Sequence, residues 1–293
     1  MSKSASSRDR QSQFLRSQRA VAGLVILSCV SLAALLAPWL APYDPLEQNL
    51  RQRRQPPSVQ HPLGLDELGR DNLSRLVYGG RLSLRVGVTA VLLAVALGVL
   101  LGTMAGFLGG WPDSLIASLA DVFLAFPSLL LAMAIVVVLG HGLKNVLYAV
   151  AFAQIPTYTR LTRIGVLATK NKEHVLAARL IGASPSRLLW RHILPGCVGP
   201  LQAQATLGIG TAILEAAGLS FLGLGAQPPT PEWGAMIAQG RGAVLSAPHI
   251  VLFPGLSIML TVLGFNLLGD GLRDVSDPTI RPLARDARGT RHG

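Results

Sequence analysis

Two carboxylates stand in stretches where carboxylates are rare. Asp121 interrupts an otherwise uncharged run over residues 115–139, and Glu215 is the one acid between His192 and Pro231. An unpaired charge in the middle of a bilayer costs about 2.5–3.5 kcal/mol on insertion scales, so such a group marks a proton or solute path or has a partner. For Asp121 the partners in view are Arg81, Arg85 or a helix amino terminus. Glu215 sits in the most glycine-rich of the apolar runs, beside Gly208, Gly210 and Gly218. A third feature is the polar segment 170–195. Within it Ala177, Ala178 and Gly182 fall within about 140° of a helical wheel at 100° per residue. Small side chains on one face let another protein approach closely, while Arg179 and Arg187 can reach acidic groups beside it. Other chemistries lack their residues. There is no G-x-x-x-x-G-K-[ST], H-E-x-x-H, C-x-x-C or G-x-S-x-G stretch. The six histidines (His61, His141, His174, His192, His249, His292) are scattered singly and read as interfacial polar residues. Cys29 and Cys197 read as small buried hydrophobes. Nothing here makes an enzyme, and no metal or cofactor site is expected on this chain.

The elements that must position these residues are membrane spans. Of 293 residues half are hydrophobic and 14% charged, with a mean hydropathy of +0.46. That balance excludes a disordered chain, a collagen-like chain and a disulfide scaffold, and favours the bilayer as solvent. A hydrocarbon core about 30 Å thick needs roughly 20 apolar residues of helix. Uncharged runs predict spans over residues 20–41, 86–107, 115–139 and 199–222, and a sixth from about Ile250 to Gly269. A shorter run over 145–158, followed closely by Arg160 and Arg163, predicts a helix entering the cytoplasm, its arginines snorkelling to the interface. The expected fold is an all-α polytopic membrane protein of six transmembrane helices. A tail (1–20), a first span (21–42), an outer loop (43–85), a five-span core (86–271) with an inner loop (166–195) and a second tail (272–293) complete it.

The net charge of +11 reads as orientation rather than as nucleic-acid binding. With the amino terminus inside, inner segments hold 17 Lys and Arg and outer segments 9, which puts both termini in the cytoplasm. The arginine-rich carboxyl tail suits anionic inner-leaflet lipid. Residues 66–81 put Leu68, Leu73, Leu76, Val77 and Gly80 near one helical face with charges opposite, the pattern of a helix on the outer membrane surface or of a short helix packed on the other spans. Gly223, Gly225, Pro228, Pro229 and Pro231 suit a rigid non-helical outer loop. Asp270 and Arg273, three residues apart, are spaced to pair at the inner end of the last span, with Asp277 and Pro278 stopping the helix.

The inner segment reads Glu173-His-Val-Leu-Ala-Ala-Arg-Leu-Ile-Gly-Ala-Ser-Pro185, then Arg191-His-Ile-Leu-Pro195. It resembles the EAA loop of binding-protein-dependent ABC importer permeases, whose pattern is E-A-A, three residues, G, nine residues, I-x-L-P. Ala177, Ala178, Gly182, Leu194 and Pro195 match in register. Leu176 stands where that family has Glu and His192 where it has Ile. The stretches 61–75, 219–234 and 265–274 are similar to the second permease subunit of peptide/nickel importers, and the likeness runs over about residues 21–281.

The resemblance implies a type I ABC importer permease in the bacterial inner membrane. It implies a docking element built on Glu173, Ala177, Ala178, Arg179, Gly182, Ala183, Leu194 and Pro195, seated on a cytoplasmic ATPase. Pro185 would separate two short helices there. Partners would be a homologous second permease, two ATPase subunits that bind ATP and Mg, and an extracytoplasmic solute-binding protein received at 62–78, 141–144 and 227–248. Di- or oligopeptides lead the implied solutes, followed by nickel, metal chelates and glutathione. A proton-coupled secondary transporter using Glu215 and Asp121 is the rival from another class.

Overall fold

The computed structural model describes residues 17–276. The chain is all-α. Helix α1 (Gln18–Leu35) starts on Ser17, whose hydroxyl accepts from the Ala20 amide. Pro38 prevents α1 from continuing, so the expected first span divides into α1 and a short α2 (Ala37–Leu40). An irregular outer segment leads to α3 (Asn72–Leu108), capped by Asp71 and ended by Gly109 at a φ of 69°. Its 37 residues reach about 55 Å, well beyond a bilayer core.

The surface helix expected over 66–81 is therefore not a separate element. Residues 66–71 form a tight turn, and Asn72 onward is the outer extension of the second span. Its charges do not face solvent either: Arg70 and Arg75 are 2% and 1% exposed. Amphipathic periodicity here came from a buried ion network, not from a membrane surface.

The third expected span is broken. Helices α4 (Gly110–Leu124) and α5 (Ser128–Leu139) meet at 94° around residues 125–127. Pro127 donates no amide and disfavours helical geometry at Phe126, which puts the break there. Helix α6 (Leu143–Lys170) runs on past Tyr158, so Arg160 and Arg163 lie inside it rather than after it. Next come α7 (Glu173–Leu180), α8 (Pro185–Arg187) and a π-helical stretch, Leu188–Ile193. These lead into α9 (Leu194–Phe221). The outer loop that follows is a run of turns and bends through Pro231 and then contains a helix, α10 (Trp233–Gly240). The stretch carrying Gly223, Gly225, Pro228, Pro229 and Pro231 is non-helical, as expected. Helix α11 (His249–Ser276) closes the described chain.

Helices α1, α3 and α11 are long and apolar enough to cross a membrane singly, and the bent α4–α5 pair is a fourth crossing if taken together. Helices α6 and α9 have 28 residues each, about 42 Å, and less apolar sequence. They occupy the centre of the bundle, where neighbouring helices shield Gln154, Tyr158, Thr159 and Glu215 from lipid. The main core joins Ala90 and Ala94 of α3, Val136 of α5, Val146, Val150 and Tyr158 of α6, and Ala216 and Leu219 of α9. Glycines set the closest approaches. A Cβ on Gly102 of α3 would lie 2.3 Å from the Thr159 carbonyl oxygen, and one on Gly23 of α1 would lie 2.6 Å from the Leu268 amide nitrogen. Backbones meeting at such distances gain dispersion contact that lipid cannot match.

Cys197 is buried as expected, but Cys29 is exposed on the surface of α1. Asp270 and Arg273 are both exposed and make no ion pair with each other among the described residues. Asp277 and Pro278 lie outside the described residues.

Candidate functional site

The inner end carries a built surface. Val175 and Ala178, one turn apart on α7, are buried with Val166 of α6, Leu188 and Ile193 of the π-helical stretch, and Cys197 of α9. This small apolar base fastens α7 to three other elements. The opposite side of α7 is open. Glu173, His174, Ala177, Arg179 and Gly182 are exposed there, and so are three large apolar side chains. Leu176 is 41%, Leu180 88% and Ile181 86% exposed. Large apolar side chains left that open beside a packed base mark a contact surface rather than a solvated face.

The expected single face of small residues is not what forms. Ala177 points outward, but Ala178 is 6% exposed and packs inward. Gly182 is outside the helix, at a φ of 82°. The Ala183 amide donates to the Ala178 carbonyl and the Gly182 amide to the Arg179 carbonyl, the two bonds that close a helix around a left-handed residue. Gly182 is thus required by backbone conformation. The Leu176, Leu180 and Ile181 ridge takes the place assigned to the small face. Ala183 is half-buried, and Pro185 opens α8 behind the Ser184 cap. Leu194 and Pro195 lie apart from the ridge, where α9 continues directly from the π-helical stretch.

Above this surface, α4 is tied to α6. The Arg163 guanidinium donates to both Asp113 carboxylate oxygens, at 2.5 and 2.8 Å. That two-point bond holds the Asp113 carboxyl below the ordinary aspartate range. Farther along α4, Asp121 meets Arg160 at 3.7 Å, and both side chains are more than 60% exposed. Its partner is therefore neither Arg81 nor Arg85. Glu215 of α9 is 7% exposed and accepts a 2.5 Å hydrogen bond from the Ser128 hydroxyl. Ser128 is the first residue of α5, so Glu215 fastens the central helix to the far side of the α4–α5 break. Its second carboxylate oxygen is buried and has no partner among the described residues. Asp121 and Glu215 belong to different surroundings and form no joint site.

The outer end holds a polar knot that the sequence reading missed. Asp66 accepts from the Leu68 and Arg70 amides, both at 2.9 Å, and from the Arg70 side chain at 2.6 Å. Arg75 lies 3.4 Å from the same carboxylate. Gln239 of α10 accepts from Arg70 at 2.8 Å and from Arg75 at 3.3 Å. Arg75 also donates to the Pro45 and Pro229 carbonyls. Burial, reinforced by the neighbouring Arg70 and opposed by Asp66, brings its pKa down to about 10, and it stays ionised at neutral pH. Nearby, Glu232 caps α10 by accepting from the Gly234 and Ala235 amides and takes a 3.1 Å bond from Ser83 of α3. The Trp233 indole donates to the Leu76 carbonyl at 2.9 Å. Residues 45, 66–75, 229 and 232–239 are thereby one rigid outer piece. The signal available in sequence was the density of charge beside Gly64 and Gly69, both in left-handed turns.

Comparison with known proteins gives this arrangement its context. Residues 98–282 match the family described as binding-protein-dependent transport system inner membrane component. Residues 8–57 match the N-terminal TM domain of oligopeptide transport permease C. A dipeptide transport system permease protein of Alkalihalophilus pseudofirmus is 48% identical over 94% of this chain and 90% of its own length. A di/tripeptide transport system permease protein of Pseudomonas aeruginosa is 48% identical over 92% of this chain and 91% of its own. A glutathione transport system permease protein of Shigella flexneri is 50% identical over 92% of this chain and 89% of its own. Membership of such a system implies ATPase and solute-binding partners and removes the basis for a stand-alone proton-coupled carrier. With an all-α bundle of apolar helices and a fastened inner surface, the chain belongs to the binding-protein-dependent transport system inner membrane components, as a multi-pass permease subunit and not itself an enzyme.

Proposed function

We propose that this chain forms half of a permease that imports short peptides, with glutathione as the second solute. The relatives named for dipeptides, di/tripeptides and glutathione are equally near in identity, which supports both. In this reading a related second permease completes the membrane pathway. Two cytoplasmic ATPases carry the ATP and Mg, and this chain holds no cofactor. The excess of basic residues on the α7 side favours a cytoplasmic coupling surface and both termini inside.

The observation that carries the coupling role is the open Leu176, Leu180 and Ile181 ridge on a base packed against α6 and α9. An ATPase groove covering that ridge can pull on α6 and α9 together, because Val175 and Ala178 pack α7 against both. ATP-driven closure of two ATPases then rocks the bundle between inward- and outward-facing states. At the other end, the rigid outer piece and residues 141–144 offer the solute-binding protein a fixed platform. The test is uptake by the reconstituted importer, with its binding protein, of alanyl-alanine and of glutathione. Peptide import predicts ATP-dependent accumulation of at least one of them. Accumulation of neither, by an assembly that hydrolyses ATP when the binding protein is added, would refute the solute class.

A further inference from the structure

The Asp121–Arg160 pair stands in a place that lipid cannot occupy cheaply. A Cβ on Gly98 of α3 would touch Tyr158 and Thr159, and one on Gly102 would touch Thr159 and Thr162. Arg160 is therefore level with residues 98–102 of α3, six residues or more from its end at Leu108, about 9 Å into the span. Both charges are more than 60% exposed at that depth in the single chain. The exposed surface of α4 also divides in two. Leu115, Leu119 and Val122 lie along one stripe, and Ser114, Ser118 and Asp121, spaced four and three residues apart, lie along the next, about 100° around the helix. The first stripe suits lipid, and the second suits water. One turn nearer the inner end, Arg163 and Asp113 are locked by two short bonds. By contrast, no hydrogen bond among the described residues holds the side chain of Asp121 or Arg160 beyond their mutual 3.7 Å approach. A carboxylate and a guanidinium with nearly all their bonding capacity free, side by side, present the mirror image of a molecule carrying an ammonium and a carboxylate.

We propose that Asp121 and Arg160 line the solute path and receive the two charged ends of a zwitterionic peptide, its ammonium at Asp121 and its carboxylate at Arg160. The proposal rests on the peptide-import reading. The loose pair neutralises itself when the path is empty and opens to a solute that replaces each partner, so no bare charge is left within the membrane.

The test uses the complete importer in proteoliposomes, with Cys29 and Cys197 replaced by Ser and Ala. Ser118→Cys should react with a membrane-impermeant charged methanethiosulfonate, and Leu119→Cys, about 100° farther around the same helix on the apolar stripe, should not. Asp121→Asn and Arg160→Gln should each lower alanyl-alanine uptake about tenfold, the scale of one lost charge-assisted contact. Stimulation of ATP hydrolysis by the binding protein should persist in both variants. An unreactive Ser118→Cys would overturn the proposal by placing this face in lipid or against the second permease. Full uptake by the exchanged pair Asp121→Arg/Arg160→Asp would overturn it too, by showing a merely structural ion pair. If the unsubstituted importer takes up neither alanyl-alanine nor glutathione, the peptide reading fails separately, and with it the assignment of these residues to peptide termini.

Discussion

Glu232 offers a sharp test of how the outer piece is held. Its carboxylate is 1% exposed and accepts three hydrogen bonds: from the Gly234 amide at 3.0 Å, the Ala235 amide at 2.9 Å and the Ser83 hydroxyl at 3.1 Å. Glu232→Ala strands all three donors in a buried place. Loss of a helix cap costs about 1 kcal/mol. A buried hydroxyl left without its partner adds about 1–3 kcal/mol. The sum, about 3 kcal/mol, corresponds to roughly a hundredfold rise in the opening equilibrium of α10. Glu232→Gln keeps one acceptor oxygen, enough for the Gly234 and Ser83 bonds, and should cost about 1 kcal/mol. Amide hydrogen exchange on the solubilised protein reads this directly at residues 234–238. Glu232→Ala should lose protection there about a hundredfold and Glu232→Gln about fivefold, with α6 unchanged in both. Equal protection in Glu232→Ala and the unsubstituted protein would refute the claim that this carboxylate holds α10 to α3.

Other outcomes follow from the same contacts. Arg75→Leu leaves the Pro45 and Pro229 carbonyls without the Arg75 donor, while Arg70 still serves Asp66 and Gln239, and should destabilise the protein by about 1–3 kcal/mol in thermal unfolding. The α4–α6 tie has a pH dependence of definite sign. Because the Asp113 carboxyl is held below its ordinary value, its stabilisation is complete above the ordinary aspartate range and is lost as pH falls through the lowered value. Protease accessibility of the 109–113 turn should therefore rise on acidification in the parent protein, and Asp113→Asn should remove that rise. Gly102→Ala drives a methyl group into the Thr159 carbonyl. Overpacking of this kind costs about 1–3 kcal/mol, whereas Gly242→Ala, with open space around it, should leave the melting temperature unchanged.

Periodicity and charge-free length made the bundle legible, because lipid exposure writes itself as runs of apolar residues. They failed where a helix is not lipid-facing. Helix α6 continues twelve residues beyond Tyr158 because Thr159, Thr162 and Val166 pack on the glycine stripe of α3, a contact that local hydropathy does not record. The break at Pro127 was open to reading from proline chemistry and was hidden by a run that is uncharged apart from Asp121. The segment 66–75 misled for a tertiary reason: Arg70 and Arg75 find Gln239 and Pro229 across more than 150 residues of chain. At the inner surface the motif residues pointed to the right loop, but spacing alone could not separate Ala178, turned inward, from Ala177, turned outward. Nor could it show that Gly182 serves a left-handed turn, or that Leu180 and Ile181 are the exposed contacts.

The coupling ridge is the centre of the account, and capture of the partner ATPases tests it most directly. Detergent-solubilised permease would be compared with Leu180→Asp/Ile181→Asp and with Leu245→Asp, a control on an outer side chain that is fully exposed. Both ridge side chains are so open that the double variant should fold and melt as the parent does. The parent and Leu245→Asp should retain the ATPases, and the ridge variant should lose them. Retention of the ATPases by a ridge variant that melts normally would contradict it.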